Sequence, residues 1–299
     1  MQFHPNSNPV FKFQPVHQLN VTFFTRLLSV VLLSLLVACG GKKDDYADKM
    51  TEEHKDDAPV SNASSTLEPR LPVETEEVTY ASVDGKEISG YLARAANPES
   101  NLPGVIVIHE WWGLNDNIRM MTRRLAGEGY KALAVDLYRG QVAETPQDAR
   151  SYMSKVNQQN AVANLEQAYA YLTEQAGTEE VGVIGWCFGG GWSLQTAIAM
   201  PEKIDATVIY YGRLVTDKEK LSPLDMPILG IFGEEDQGIP PEDVRAFEEI
   251  LQELNKPNSI HIYEGANHAF ANPSGNRYQK EAAEDAWDKT VSFFNTHLK

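Results

Sequence analysis

Val181-Gly182-Val183-Ile184-Gly185-Trp186-Cys187-Phe188-Gly189-Gly190-Gly191 is the stretch that decides the fold. Val181 to Ile184 is a short apolar run of the kind that forms a buried strand, and a segment of helical character reaching Met200 follows the glycines. Between them, Gly185-Trp186-Cys187-Phe188-Gly189 reads as a nucleophile elbow in which a thiol stands where G-x-S-x-G carries a hydroxyl. Glycines on both sides suit a sharp, strained turn in which a Cβ would meet neighbouring backbone. Such a turn lifts the Cys187 sulfur clear of the sheet. It also sets the sulfur at a helix N-terminus, where partial positive charge favours thiolate.

Outward from the elbow the chain alternates strand and helix. Val78–Val83 and Ile88–Ala93 flank Asp84-Gly85, a hairpin signal. Gly104–Ile108 is a continuous apolar run suited to a strand buried on both faces. Asn115 or Asp116 caps a helix that carries Ile118, Met121 and Leu125 on one face. Tyr130–Leu137 returns as a strand, and a single helical stretch is expected over 146–175. Ala206–Tyr211, Pro227–Phe232 and Ser259–Tyr263 are further strands. Val244, Phe247, Leu251 and Leu254 form one helical stripe; Ala283, Ala286, Trp287, Val291 and Phe294 form another. The order predicts an α/β fold: a mostly parallel central sheet, helices on both faces and an N-terminal antiparallel hairpin.

In such sheets chemistry collects beyond the carboxyl ends of the strands. Asp236 follows the run Ile228–Gly233, and His268 follows Ile262-Tyr263-Glu264-Gly265. Nucleophile, acid and histidine thus occur in the order of α/β-hydrolases. An imidazole deprotonates the thiol while a carboxylate fixes the imidazole tautomer. Glu234 and Glu235 are rival acids beside Asp236. The backbone N–H groups of Phe188 and Trp111 are the expected oxyanion-hole donors. His109 reads as a packed neighbour rather than a catalyst.

The bulk numbers narrow the class. The chain has 299 residues, 42% of them hydrophobic, enough for one large or two small domains. A formal net charge of -16 argues against a broad basic surface for nucleic acid. The only cysteines are Cys39 and Cys187, and each has a separate explanation, so no disulfide is expected.

Leu27–Ala38 is almost wholly apolar, with Lys12 and Arg26 ahead of it, as in a secretory signal. Its end, Leu36-Val37-Ala38-Cys39-Gly40, resembles a bacterial lipobox, in which the cysteine is acylated. Residues 1–38 are therefore expected to be a lipoprotein signal peptide. Residues 39–72 are expected to be a disordered acidic tether, and 73–299 the α/β domain. Cys39 would anchor a monomer in the cell envelope, with the outer membrane facing the periplasm implied by the Gly40 that follows.

Several motifs together point to a family. His109-Glu110-Trp111-Trp112-Gly113-Leu114-Asn115, Asp136-Leu137-Tyr138, the cysteine elbow, Tyr210-Tyr211-Gly212, Gly233–Asp236 and His268-Ala269-Phe270 resemble the dienelactone hydrolase family over about Val73 to Lys299. The resemblance implies a single-domain α/β-hydrolase fold and hydrolysis of a lactone or small ester through a thioester, without metal or organic cofactor. It implies Cys187 as nucleophile, Asp236 and His268 as its partners, and Glu110 as the acid that contacts the resting thiol. Trp112, Tyr138, Arg139 and Phe270 become candidates for substrate binding. The match departs from dienelactone-cleaving members at the substrate clamp: Arg139 stands one place early and Asn272 stands where an arginine is expected. Arg213 and Arg277 are candidate substitutes. The alternatives are a non-catalytic envelope lipoprotein that uses the fold for binding, and a thiol redox protein, against which the lack of C-x-x-C argues.

Overall fold

The computed structural model describes residues 46–57, 67–97 and 101–299. The signal peptide, the acylated Cys39 and the envelope location expected from them lie outside these residues. Among the described residues no helix is long and apolar enough to cross a membrane.

Asp84 and Gly85 both adopt left-handed backbone, at φ 53° and 69°, and turn β1 (Val73–Val83) back onto β2 (Lys86–Ala95) as an antiparallel pair. β2 then pairs antiparallel with β4 (Lys131–Val135). From there β3 (Gly104–Ile108), β5 (Val181–Trp186), β6 (Ala206–Tyr210), β7 (Ile228–Gly233) and β8 (Asn258–Tyr263) add in parallel. The sheet has eight strands in the order β1-β2-β4-β3-β5-β6-β7-β8. Every residue of β3, β5, β6 and β7 is buried, which is why these strands read as unbroken apolar runs.

The helices are α1 (Tyr46–Glu53), α2 (Asp116–Gly127), α3 (Pro146–Lys155), α4 (Gln158–Ala170), α5 (Phe188–Ala199), the single turn α6 (Lys218–Leu221), α7 (Pro241–Glu253) and α8 (Lys280–Leu298). Asn115 caps α2 by accepting from the Ile118 N–H. The single helical stretch expected over 146–175 is instead two helices. Val156 is extended, and Thr145 and Asn157 each start a helix by accepting from the N–H three residues on. A wider turn over Tyr171–Gln175 then extends α4.

The stretch 39–72 was expected to be disordered throughout, and here the structure differs. α1 lies within it and belongs to the same compact unit as the sheet, Asp45–Lys299. Its Met50 is fully buried, with the sulfur-borne methyl against Gly238. Arg277, from the segment before α8, clamps its end: Nη1 donates to the Glu53 carboxylate at 2.5 Å and Nη2 to Asp57 at 2.5 Å. The Arg213 guanidinium sits 5.1 Å over the Tyr46 ring. One buried methionine, an aromatic and a clamped pair of acids fix a segment that is otherwise too polar to hold itself.

Candidate active site

Cys187 sits between β5 and α5 with φ 55° and ψ −115°, the strained backbone of an elbow. The turn closes only because its neighbours are glycines. A Cβ on Gly189 would fall on the Ile108 carbonyl oxygen and 2.6 Å from that of His109, and one on Gly185 would fall on the backbone of Gly189. The Cys187 N–H donates to the Tyr210 carbonyl at 3.0 Å, which ties the elbow to the end of β6.

Asp236 and His268 meet beside it. The loop after β7 supplies Asp236, the loop after β8 supplies His268, and His268 Nδ1 donates to Asp236 Oδ2 at 2.7 Å with both side chains fully buried. The other Asp236 oxygen accepts from the Gly238 and Ile239 N–H groups, each at 2.8 Å. The rival acids Glu234 and Glu235 are exposed. His268 Nε2 is buried and has no hydrogen-bond partner among the described residues.

The electrostatics suit an ion pair. Burial alone would raise the Cys187 thiol, but His268, and after it His54, outweigh burial and bring it down to about 6. Burial works to lower the His268 imidazole, yet Asp236 and Cys187 hold it well above its ordinary value. Burial, followed by the Cys187 charge, pushes the Glu110 carboxyl up to about 7. Glu110 was expected to contact the resting thiol. Its hydrogen bonds go instead to two amides, Asn117 Nδ2 at 3.1 Å and Asn272 Nδ2 at 2.7 Å, so it acts on the sulfur through space. Asn272, at the position expected to hold an arginine, is thus one of the two residues that fix Glu110. His109 is neutral: its Nδ1 donates to the Glu110 carbonyl at 2.8 Å and its Nε2 accepts from Leu137 N–H at 3.2 Å.

A cavity of about 170 Å³ opens over the sulfur, lined among others by Glu110, Trp111, Trp112, Asn272 and Arg277. Three of the four residues read as substrate-binding lie away from it. Tyr138 is packed beneath, its hydroxyl donating to the Trp111 carbonyl at 3.2 Å and its ring against Phe188. Phe270 is wholly buried against Tyr211 and Tyr263. Arg139 takes a left-handed turn, φ 55°, and pairs with Asp84 of the hairpin at 3.4 Å. Only Trp112 lines the cavity. The cation there is Arg277, which the sequence offered merely as a substitute.

The residue that sequence reasoning missed is His54. It follows α1, and its Nε2 lies 3.6 Å from Cys187 Sγ. Its ring stacks on Trp111 at 5.3 Å and 19°, and meets His268 edge-on at 5.3 Å. Its Nδ1 donates to Asp57 Oδ2 at 2.7 Å. Burial opposes charge on this imidazole, but Asp57 and Cys187 raise it above its ordinary value. A faint signal was present: Tyr46, Met50 and His54 recur at four-residue spacing, the mark of one helix face.

Comparison with known proteins places the whole fold among known relatives. A family model described as "Dienelactone hydrolase family" matches residues 88–298. A Saccharolobus solfataricus protein, provisionally named a carboxymethylenebutenolidase, is 36% identical over 258 residues, covering 73% of this chain and 96% of that protein. A crystal structure from Klebsiella pneumoniae, provisionally assigned as a dienelactone hydrolase, superposes with a TM-score of 0.69 at 29% identity, over 76% of this chain and all of that one. A dienelactone hydrolase-like promiscuous phosphotriesterase from metagenomic libraries shares the fold, with a TM-score of 0.67 at 23% identity.

Proposed function

Because this chain belongs to the dienelactone hydrolase family, and so is a hydrolase, we propose that it cleaves a lactone or small carboxylic ester at Cys187 through a Cys187-His268-Asp236 triad. The observation that carries the reading is the fully buried His268–Asp236 bond of 2.7 Å beside an elbow cysteine, with the far nitrogen of His268 left free for proton traffic.

The Cys187 thiolate attacks the acyl carbon, and the electron pair of the C=O bond moves onto oxygen. The backbone N–H groups of Phe188, first residue of α5, and Trp111, beyond β3, receive that oxyanion. Protonated His268 then gives its Nε2 proton to the leaving alkoxide, and a thioester remains. Neutral His268 next takes a proton from water, which attacks the thioester, and the acid departs with the thiol restored as thiolate and imidazolium. Asp236 holds Nδ1–H throughout, so Nε2 is the nitrogen that faces the reaction. Trp112 and Trp111 give the acyl group an apolar wall, and Glu110 disfavours thiolate once it ionises. Acylation of Cys39 would hold this enzyme at the bacterial envelope, a placement that rests on the Leu36–Gly40 motif.

Turnover of p-nitrophenyl acetate and of a small lactone by the full chain, beside Cys187→Ala and His268→Ala, tests the reaction. Hydrolysis that collapses in both variants, with an acetyl thioester on Cys187 trapped by acid quench, is expected. Equal rates in all three proteins would remove the reading. Mass spectrometry of the mature N-terminus tests the anchor: an unmodified peptide running through Cys39 rules it out.

A further inference from the structure

The proposed hydrolysis uses one imidazole, yet the sulfur faces two. We propose that Cys187, His54 and His268 form a binding site for a borderline-soft divalent cation of the zinc class, assembled when α1 is docked. One nitrogen from each ring and the Cys187 sulfur all lie within 4.8 Å of one another, and all three residues are buried. The Nδ1 atoms of both rings are bound to carboxylates, so the Nε2 atoms are the ones that face the sulfur.

Three observations favour a metal over a chance cluster. With Zn–S near 2.3 Å and Zn–N near 2.0–2.1 Å, a tetrahedral centre separates sulfur from nitrogen by about 3.6 Å. The His54 Nε2 to Cys187 Sγ distance is 3.6 Å. Next, both histidines donate Nδ1–H to a carboxylate at 2.7 Å, His54 to Asp57 and His268 to Asp236. That arrangement orients an imidazole for metal and raises its basicity. Finally, His268 Nε2 is a fully buried nitrogen with no hydrogen-bond partner of good geometry among the described residues.

Charge agrees. Cys187 thiolate, Asp57, Asp236 and Glu53 gather about the site, and the Arg277 guanidinium is already paired with Glu53 and Asp57. A thiolate with two imidazoles selects zinc-class ions over magnesium or calcium, which prefer oxygen. Binding forms one metal–sulfur and two metal–nitrogen bonds and displaces to solvent the proton shared by Cys187 and His268, together with the Nε2 proton of His54 wherever that ring is charged. A water completes four-coordination. The bound ion occupies both the nucleophile and its base, and pins α1 across the cavity. That silencing rests on the proposed hydrolysis, whereas the binding does not.

The test uses the full chain carrying Cys39→Ser, so that Cys187 is the sole thiol, reduced and stripped with a chelator. Zn2+ is titrated against a chromophoric chelator, and Co2+ is followed by absorbance. One equivalent should bind, and Co2+ should give the intense visible bands of a four-coordinate centre with a near-ultraviolet thiolate charge-transfer band. Cys187→Ser should abolish that band. Asp57→Asn should weaken Zn2+ about 10–100-fold, and His54→Ala or His54→Gln by at least as much. Affinity indifferent to both His54 variants, or a six-coordinate Co2+ spectrum without the charge-transfer band, overturns the site. A chain that binds Zn2+ as described but cleaves no ester keeps the site and sinks the hydrolysis. One that cleaves esters with His54-independent metal affinity does the reverse.

Discussion

Replacing His268 with alanine should move the Cys187 thiol up from about 6 towards its ordinary 9.0. Burial raises this thiol, and His268 is the first of the two groups that overcome it; His54 comes second. A change from 6 to 9 is a thousandfold in proton affinity, or ~4 kcal/mol of preference for thiolate. At about pH 7.5 the thiolate fraction should fall from ~97% to ~3%, roughly thirtyfold. The assay is far-ultraviolet thiolate absorbance against pH on chelator-treated protein, with Cys187→Ser as the blank that removes Cys39. Absorbance is preferable to an alkylation or exchange rate for two reasons. The sulfur is nearly inaccessible beneath His54, and a low-pKa thiolate is intrinsically slower, with a Brønsted slope of about 0.4–0.5 that offsets most of the gain. A wild-type midpoint at or above 8.5, or a midpoint that His268→Ala leaves in place, would refute the account of this site.

Asp236→Asn keeps the shape but loses the carboxylate that sets the imidazole tautomer, so kcat for an ester should fall by about 10³–10⁴ with little change in KM. Glu110→Gln should alter the pH dependence of stability. The folded carboxyl titrates at about 7 against an ordinary 4.5, so as pH rises between them the unfolded chain releases a proton that the folded one keeps. Stability is lost over that interval, by ~3 kcal/mol, and chemical denaturation at several pH values should show the loss flattened in the variant. Gly189→Ala must push against the carbonyls of Ile108 and His109, which are backbone and cannot swing aside; thermal melts should show at least ~1–3 kcal/mol of destabilisation. Arg277→Met removes both ion pairs to Glu53 and Asp57, and hydrogen exchange should show α1 amides losing protection while β5 amides do not.

The parts of this molecule that were legible in the sequence are those determined by near neighbours. β3, β5, β6 and β7 are buried on both faces, so composition alone marks them. The elbow announces itself because a strained turn between strand and helix admits glycine almost alone. Asp236 and His268 were found by placement, since parallel strands deliver their following loops to one edge. Side-chain direction was not legible. Arg139 and Tyr138 follow β4 as expected, yet a left-handed turn at Arg139 sends its guanidinium to the hairpin. Phe270 is two residues from the histidine and faces Tyr211 and Tyr263 in the core. The break at Val156 escaped notice because helix propensity on both sides is good. α1 was missed for a deeper reason: its own residues do not hold it. Met50 needs Gly238, and Glu53 and Asp57 need Arg277, a residue more than 200 positions away whose approach no local pattern records.

His54 reaches the sulfur as part of the same chain, so dilution never separates the two. It behaves as a competitor whose local concentration is fixed by geometry, in the millimolar range for short connections. An ester that reaches Cys187 competes with His54 for the same face of the sulfur, so measured affinities should look weaker than the cleft itself possesses. Shortening the protein to begin after Asp57 would then tighten substrate binding and leave His268 as the remaining imidazole that lowers the Cys187 thiol.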